Sequence, residues 1–371
     1  CMMSLGENTL ENEPDLRRKA ATGARANAAG IAAVSIIGLI QTAILARLLG
    51  PEGFGLMALV DVALSFIGIT SRFGLAPSVV RTRNLAQGEA AAVFWFQFVI
   101  ALALAALVVG VARSWHANRP ESILPNLLAV SAVLLPISVI GNVHRALSQR
   151  EFKFKLLAFV EVAAAGIAAV VAIASAALFN QGVWSLVWGS IAGALVASGL
   201  LLVRGGYGSM VLGTWPALST LRRHLSFGIN VTGSQLIGNA TKKLDRVLVG
   251  MILGPTALGY YSVAINLVTL PVQKLNPVVT TVALPLLSRL VGDQPRLRAA
   301  YLRILRLLVY AAAPVLLGLA AVAPQLIPVY LGAGWDDVVP VVQLLTLYGL
   351  SRAVANTSGP VIMAGDRKSV V

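Results

Sequence analysis

From residue 27 onward the chain alternates long apolar stretches with short polar ones. The apolar stretches have the length of membrane-crossing helices, which need about 20 predominantly apolar residues for a hydrocarbon core of about 30 Å. Ten spans follow from the pattern: 27–47, 53–73, 90–112, 123–143, 157–179, 183–203, 227–253, 257–283, 304–323 and 338–360. The expected fold class is an all-α polytopic membrane protein, since a lipid-exposed backbone must satisfy its hydrogen bonds within each helix. The first span follows a polar tail and precedes nine more, so it does not read as a cleaved signal peptide.

A short pattern occurs twice between spans. Leu49-Gly50-Pro51 with Gly55 returns as Leu253-Gly254-Pro255 with Gly259, 204 residues later. Proline and glycine there end one helix and start the next. The surrounding spans align at the same offset, which predicts an internal duplication into two pseudo-symmetric six-helix lobes. Six is an even number, so both copies run in the same direction through the membrane. The expected organisation is a cytoplasmic tail over 1–26, an N-lobe over 27–203, a cytoplasmic linker over 204–226 and a C-lobe over 227–371. The same offset places the end of the second copy near residue 407. The C-lobe is thus expected to hold four helices here, with its last two missing.

Composition supports this reading. Hydrophobic residues make up 57% of the chain and charged ones 12%, about half the ~25% of a soluble domain. With an inside N-terminus, the inside segments carry 20 basic residues, among them Arg145, Arg150, Lys153 and Arg204, while the outside loops carry only Arg113 and Arg119. That asymmetry orients the chain with a cytoplasmic N-terminus. It also accounts for most of the +14 net charge as topology and attraction to anionic lipid; no nucleic-acid-reading motif is present. The basic segment 295–306 is expected to lie on the inner leaflet, and Trp335, Tyr260 and Tyr261 near span ends suit an interfacial position. Cys1 is the only cysteine, and His116, His144 and His224 read as scattered loop residues without ligand spacing, so no metal site is expected. No set of catalytic side chains can be assembled, and no cofactor is implied.

The chemistry lies in charges placed where lipid would otherwise be. If the seventh span begins at Phe227, Lys242 lies 15 residues in, roughly 22 Å along the axis at 1.5 Å per residue. A Lys, Arg or Asp at the centre of a membrane helix costs about 2.5–3.5 kcal/mol. Lys242, Lys243, Asp245 and Arg246 therefore face protein or water. Thr232, Gln235, Asn239, Lys242 and Arg246 step by three and four, a single helical face. Asp245 can pair with Lys242 three residues away, either as a lock against a neighbouring helix or as part of a cavity wall. A lock alone leaves Lys243 and Arg246 unexplained, and a cationic, water-filled cavity suits an anionic substrate such as a phosphate. Lys274 in the eighth span and Arg352 in the tenth are further candidates for that cavity. Asp61 in the second span and Glu161 in the fifth either serve as proton or ion sites or neutralise nearby cations. "GSIAG" (189–193) reads as helix packing.

Five blocks carry a family resemblance: "ARLLGPEGFGLMALV" (46–60), "SQREFKFKLLAFVEV" (148–162), "GVWSLVWGSI" (182–191), "DRVLVGMILGPTALGYYSVA" (245–264) and "LGLAAVAPQLIPVYLGAGWDDVVPVVQLL" (317–345). They resemble the Wzx-type polysaccharide exporters, the lipid-linked oligosaccharide flippases of the multidrug/oligosaccharidyl-lipid/polysaccharide exporter superfamily. "IMAGDRK" (362–368) is similar to the loop before two further helices in that family. The resemblance implies two six-helix lobes around a central cavity that opens alternately to either side of the bacterial inner membrane. Its implied substrate is an undecaprenyl-pyrophosphate-linked sugar unit, driven by a proton or sodium gradient, with polysaccharide polymerase machinery as a partner. Lys242, Lys243 and Arg246 fall where the family's pyrophosphate-engaging cations are expected, and Asp61, Glu161 and Asp245 are candidates for ion coupling. Two alternatives stay open. A multidrug and toxin extrusion antiporter shares the fold but would want acidic cavity residues, and a membrane glycosyltransferase or polymerase would want large outside loops.

Overall fold

The computed structural model describes residues 13–75, 88–207, 218–278, 290 and 293–355. Side chains are described from Ala26 onward, and not at 218–224, 226–227, 274–278 or 294. Several inside basic residues, the expected end of the last span and the 362–368 motif lie outside the described residues.

The described elements are all helical: α1 (Glu13–Arg72), α2 (Glu89–Asn118), α3 (Leu124–Ser131), α4 (Leu134–Arg150), α5 (Phe154–Phe179), α6 (Trp184–Gly205), α7 (Leu218–Val278), α8 (Gln294–Leu331) and α9 (Val338–Ala355). Among the described residues, eight helical runs are long and apolar enough to cross a membrane, α3 and α4 together forming one. The protein is therefore a multi-pass membrane protein.

Two of those runs are too long to be single crossings. Ala26–Arg72 has 47 residues and Gly228–Gln273 has 46, about 70 Å each if unbroken, more than twice the hydrocarbon thickness. Each breaks at the first glycine of the repeated motif, Gly50 at φ 67° and Gly254 at φ 85°, in the left-handed region that glycine alone enters without penalty.

The chain divides into two compact units, residues 1–49 with 56–248, and residues 50–55 with 249–371. In the first, α2, α4 and the end of α6 enclose a core of Val93, Phe94, Val143, Leu147 and Tyr207, beside Leu75. The "GSIAG" glycines meet α5 as helix packing: an added Cβ would sit 2.7 Å from Ala168 O at Gly189 and 2.9 Å from Ala168 Cβ at Gly193. Outside the spans, the α4–α5 turn is tied to the end of α6. Lys153 Nζ reaches Gly205 O at 3.3 Å and lies 4.6 Å above the Tyr207 ring. Hydrogen bonds from Tyr207 and Lys153 hold the Glu151 carboxyl below its usual range. The bond to Glu151 raises Lys153, and burial raises the Tyr207 phenol.

In the second unit the two copies of the motif meet. A Cβ on Gly55 would fall 1.7 Å from Pro255 O, and a Cβ on Gly259 would fall 1.9 Å from Pro51 O. The contact is reciprocal, each copy's last glycine seating the other copy's proline carbonyl, so both positions must lack a side chain. Trp335 seals this end. It is completely buried, edge-on to Phe54 at 5.5 Å and to Tyr260 at 6.0 Å between centroids, so it is a core anchor rather than the expected interfacial aromatic. The basic 295–306 segment is the beginning of α8, which continues to Leu331 and is capped by Asp293 accepting from the Arg296 N–H at 3.1 Å.

Candidate functional site

Helix α7 has two opposite faces between Thr232 and Met251. Ile237, Leu244, Leu248 and Met251 are exposed and fall on one stripe at steps of seven, four and three, the face suited to lipid. The stripe of Thr232, Gln235, Asn239, Lys242 and Arg246, with Lys243 at its edge, lies on the other side. Its environment is uneven. Thr232 is buried, Asn239, Lys243 and Arg246 are partly buried, and Gln235 and Lys242 are exposed.

One edge of the stripe is a helix contact. Asn239 Nδ2 donates to Ser65 Oγ at 3.1 Å, and Lys243 Nζ donates to Asp61 Oδ2 at 2.7 Å. As one residue number falls the other rises, so the second half of α1 runs antiparallel to α7. Asp61, Ser65, Gly68 and Arg72 form the facing stripe on α1 at steps of four, three and four. The expected partner of Asp245 is Lys242. Asp245 Oδ1 accepts from the backbone N–H of Arg246 at 2.8 Å, and Lys243 meets the carboxylate of Asp61. Arg352 is in the second unit, where its guanidinium donates to the Tyr348 hydroxyl at 2.5 Å. Lys274 lies in the last turns of α7 with its side chain outside the described residues.

Glu161 on α5 forms an ion pair with Arg145 on α4. Arg145 also lines a cavity of about 380 Å³ between α1, α4 and α6, with Arg72, Ser138, Asn142 and Ser198. This polar pocket has no counterpart in the sequence reading, because each helix contributes only one to three polar positions to it. Gln97, fully buried on α2, braces it by donating to the carbonyl of Arg72 and accepting from Asn142 at 3.4 Å. His144, read as a loop residue, lies within α4 and is fully buried, Nδ1 facing Ile140 O at 2.8 Å. Glu89, at the first turn of α2, is a buried carboxylate that the sequence reading also passed over. Among the described residues, no cluster of three or more His, Cys, Asp and Glu side chains has the geometry of a metal site.

A helical membrane protein with ion pairs and a charged pocket among its spans has the make-up of a transporter. A family model described as "Polysaccharide biosynthesis protein" matches residues 44–340, and the chain belongs to that family. It is 28% identical over 361 residues to the lipopolysaccharide biosynthesis protein WzxC of Escherichia coli K12, covering 96% of this chain and 72% of that one. The teichuronic acid biosynthesis protein TuaB of Bacillus subtilis is 24% identical, with 95% and 73% covered. The succinoglycan biosynthesis transport protein ExoT of Rhizobium meliloti is 27% identical, with 83% and 62% covered. These matches bear out the resemblance to the Wzx-type exporters. In fold, the chain is similar to the lipid II flippase MurJ in an inward closed conformation, with a TM-score of 0.67, 14% identity and 93% and 78% of the two chains covered. It is also similar to an inward-facing multidrug resistance MATE family transporter of the MOP superfamily, with a TM-score of 0.61, 15% identity and 91% and 84% covered. The family is one of transporters, not enzymes.

Proposed function

We propose that this protein is a flippase that moves undecaprenyl-pyrophosphate-linked oligosaccharide repeat units from the cytoplasmic to the periplasmic leaflet of the bacterial inner membrane. The observation that carries the reading is the membrane-spanning stripe of α7. Three cations, Lys242, Lys243 and Arg246, stand with two carboxylates, Asp61 and Asp245, in the same stretch, leaving a net positive charge for an anionic substrate. The exposed Lys242 and Gln235 offer it a charge and an amide. A phosphate-bearing lipid is the natural counterion, because Lys and Arg recognise phosphate through charge-assisted hydrogen bonds.

The finer architecture belongs to the same proposal. Counting the two sides of each glycine break separately turns the eight long runs into the ten spans of the sequence reading, with the N-terminus cytoplasmic. The reciprocal Gly55 and Gly259 contact supports a duplication into two like lobes. Transport is by alternating access, coupled to a proton or sodium gradient through Asp61, with Glu161 and Asp245 as further candidates, and it feeds polysaccharide polymerase machinery. The antiporter alternative is disfavoured by the positive balance, since a cationic drug would meet like charge.

The test is polysaccharide export in cells carrying the double variant Lys242→Ala with Arg246→Ala. Export is expected to be lost while the protein inserts and accumulates normally. Normal export at wild-type levels would remove the stripe from the mechanism.

A further inference from the structure

The pocket between α1, α4 and α6 has a composition that the proposed function does not use. Two arginines, Arg72 and Arg145, line it, together with the amide of Asn142 and the hydroxyls of Ser138 and Ser198, and no carboxylate is among its walls. Glu161 pairs with Arg145 without lining the cavity. Arg72 has no carboxylate within ion-pair distance among the described residues.

The placement of Arg72 is as informative as its charge. It stands in the last turn of α1, where a long basic side chain ordinarily reaches outward to water and headgroups. Its guanidinium folds back one turn instead: a Cβ built on Gly68 would lie 3.7 Å from Arg72 Nη2 and 3.8 Å from Leu135 Cδ2. Gly68 lies beside the folded-back guanidinium, and Ala194 and Ala197 on α6 keep the cavity open. Both the pocket's size and its charge are therefore built from residues on three helices. A cationic pair turned into a cavity among apolar helices is costly unless an anion joins it.

We propose that this pocket is a binding site for a phosphate-type oxyanion, held by the forked guanidinium groups of Arg72 and Arg145 and by the Asn142 amide. Arginine's planar fork matches two oxygens of one phosphate, which a lysine cannot do. Glu161 competes with the ligand for Arg145. The pocket reaches from within α4 and α6 to Arg72 at the end of α1, toward the side of the basic residues Arg150, Lys153 and Arg204, where an anionic group meets the membrane surface. This inference stands on the first unit alone and does not depend on the flippase reading.

The test is direct binding to the purified protein by isothermal titration calorimetry, with inorganic pyrophosphate as one probe and short-chain phosphatidic acid as the other. Binding of the lipid alone identifies a headgroup as the source, and binding of both identifies a free oxyanion site. Arg72→Gln is expected to weaken binding about tenfold, and Arg72→Lys to weaken it less, since charge is kept and the fork is lost. Glu161→Gln is expected to strengthen binding about threefold by releasing Arg145, a gain that structural damage would not produce. Binding of neither probe, equal binding by Arg72→Gln, or weaker binding by Glu161→Gln would each overturn the assignment. If Arg72→Gln does not fold, the opposed effects of Arg72→Lys and Glu161→Gln still decide it.

Discussion

Two of the cation–carboxylate pairs described in the first unit look alike and are set differently. Lys243 and Asp61 meet at 2.7 Å with side-chain exposures of 18% and 55%, so the base is covered and the acid is open. Arg145 and Glu161 have nearly equal exposures, 36% and 38%, and there the base lines a pocket while the acid does not. The open member decides what each pair can exchange. On the proposed reading, Asp61 is the group that a proton or a sodium ion reaches at the first pair, and Arg145 the group that an anion reaches at the second.

The largest expected effect follows from that difference. In inverted membrane vesicles, Asp61→Asn is expected to cut gradient-driven transport tenfold or more, and Glu161→Gln by less than threefold. Equal losses would erase the distinction between the two acids. Stability gives the next contrast. Lys243→Met leaves Asp61 without its base inside a span, where a central carboxylate costs about 2.5–3.5 kcal/mol. A loss of about 2 kcal/mol is expected in thermal unfolding, and Asp61→Asn added to Lys243→Met should restore most of it. Arg145→Met is expected to cost about as much, because the Glu161 it strands is less exposed than Asp61, 38% against 55%. A much smaller loss for Arg145→Met would show that only the Lys243 pair is structural.

The smallest effect concerns the turn outside the spans. The depressed Glu151 carboxyl contributes stability above the ordinary carboxylate range and loses it as pH falls through its lowered value. Lys153 is raised, so its share is present below the ordinary lysine range and is lost as pH rises through its elevated value. Stability from this turn should be full between those limits, and Glu151→Gln should flatten the acid limb and weaken the alkaline one, since Glu151 is the main cause that raises Lys153, measured as the unfolding midpoint against pH.

How much was legible depends on whether a feature lies on one helix or several. The α7 stripe is written in consecutive turns of one helix, so spacing reveals it. The Asp61–Lys243 pair joins residues 182 apart, and no local pattern marks that contact, which is why Lys243 had no carboxylate assigned to it from the sequence. The pocket is harder still, since Arg72, Asn142, Arg145 and Ser198 each look like ordinary polar residues near a span end. His144 was misplaced for a related reason. Apolar character stops at Val143, yet the helix continues to Arg150 because its polar residues turn into the core and the pocket rather than toward lipid. Trp335 sits where an interfacial aromatic would, and only its distant ring partners Phe54 and Tyr260 make it a core residue. The repeated Leu-Gly-Pro motif was visible as a turn, but its second glycine is explained by the backbone contact between the two copies.

The central claim is transport of a lipid-linked sugar unit between leaflets, and its most direct measurement is where that unit sits when the protein is removed. In cells lacking the gene, lipid-linked repeat units are expected to accumulate on the cytoplasmic leaflet, inaccessible to reagents added from the periplasmic side, and to become accessible when the gene is restored. An unchanged leaflet distribution, with altered sensitivity to cationic drugs, would contradict the account and favour an antiporter.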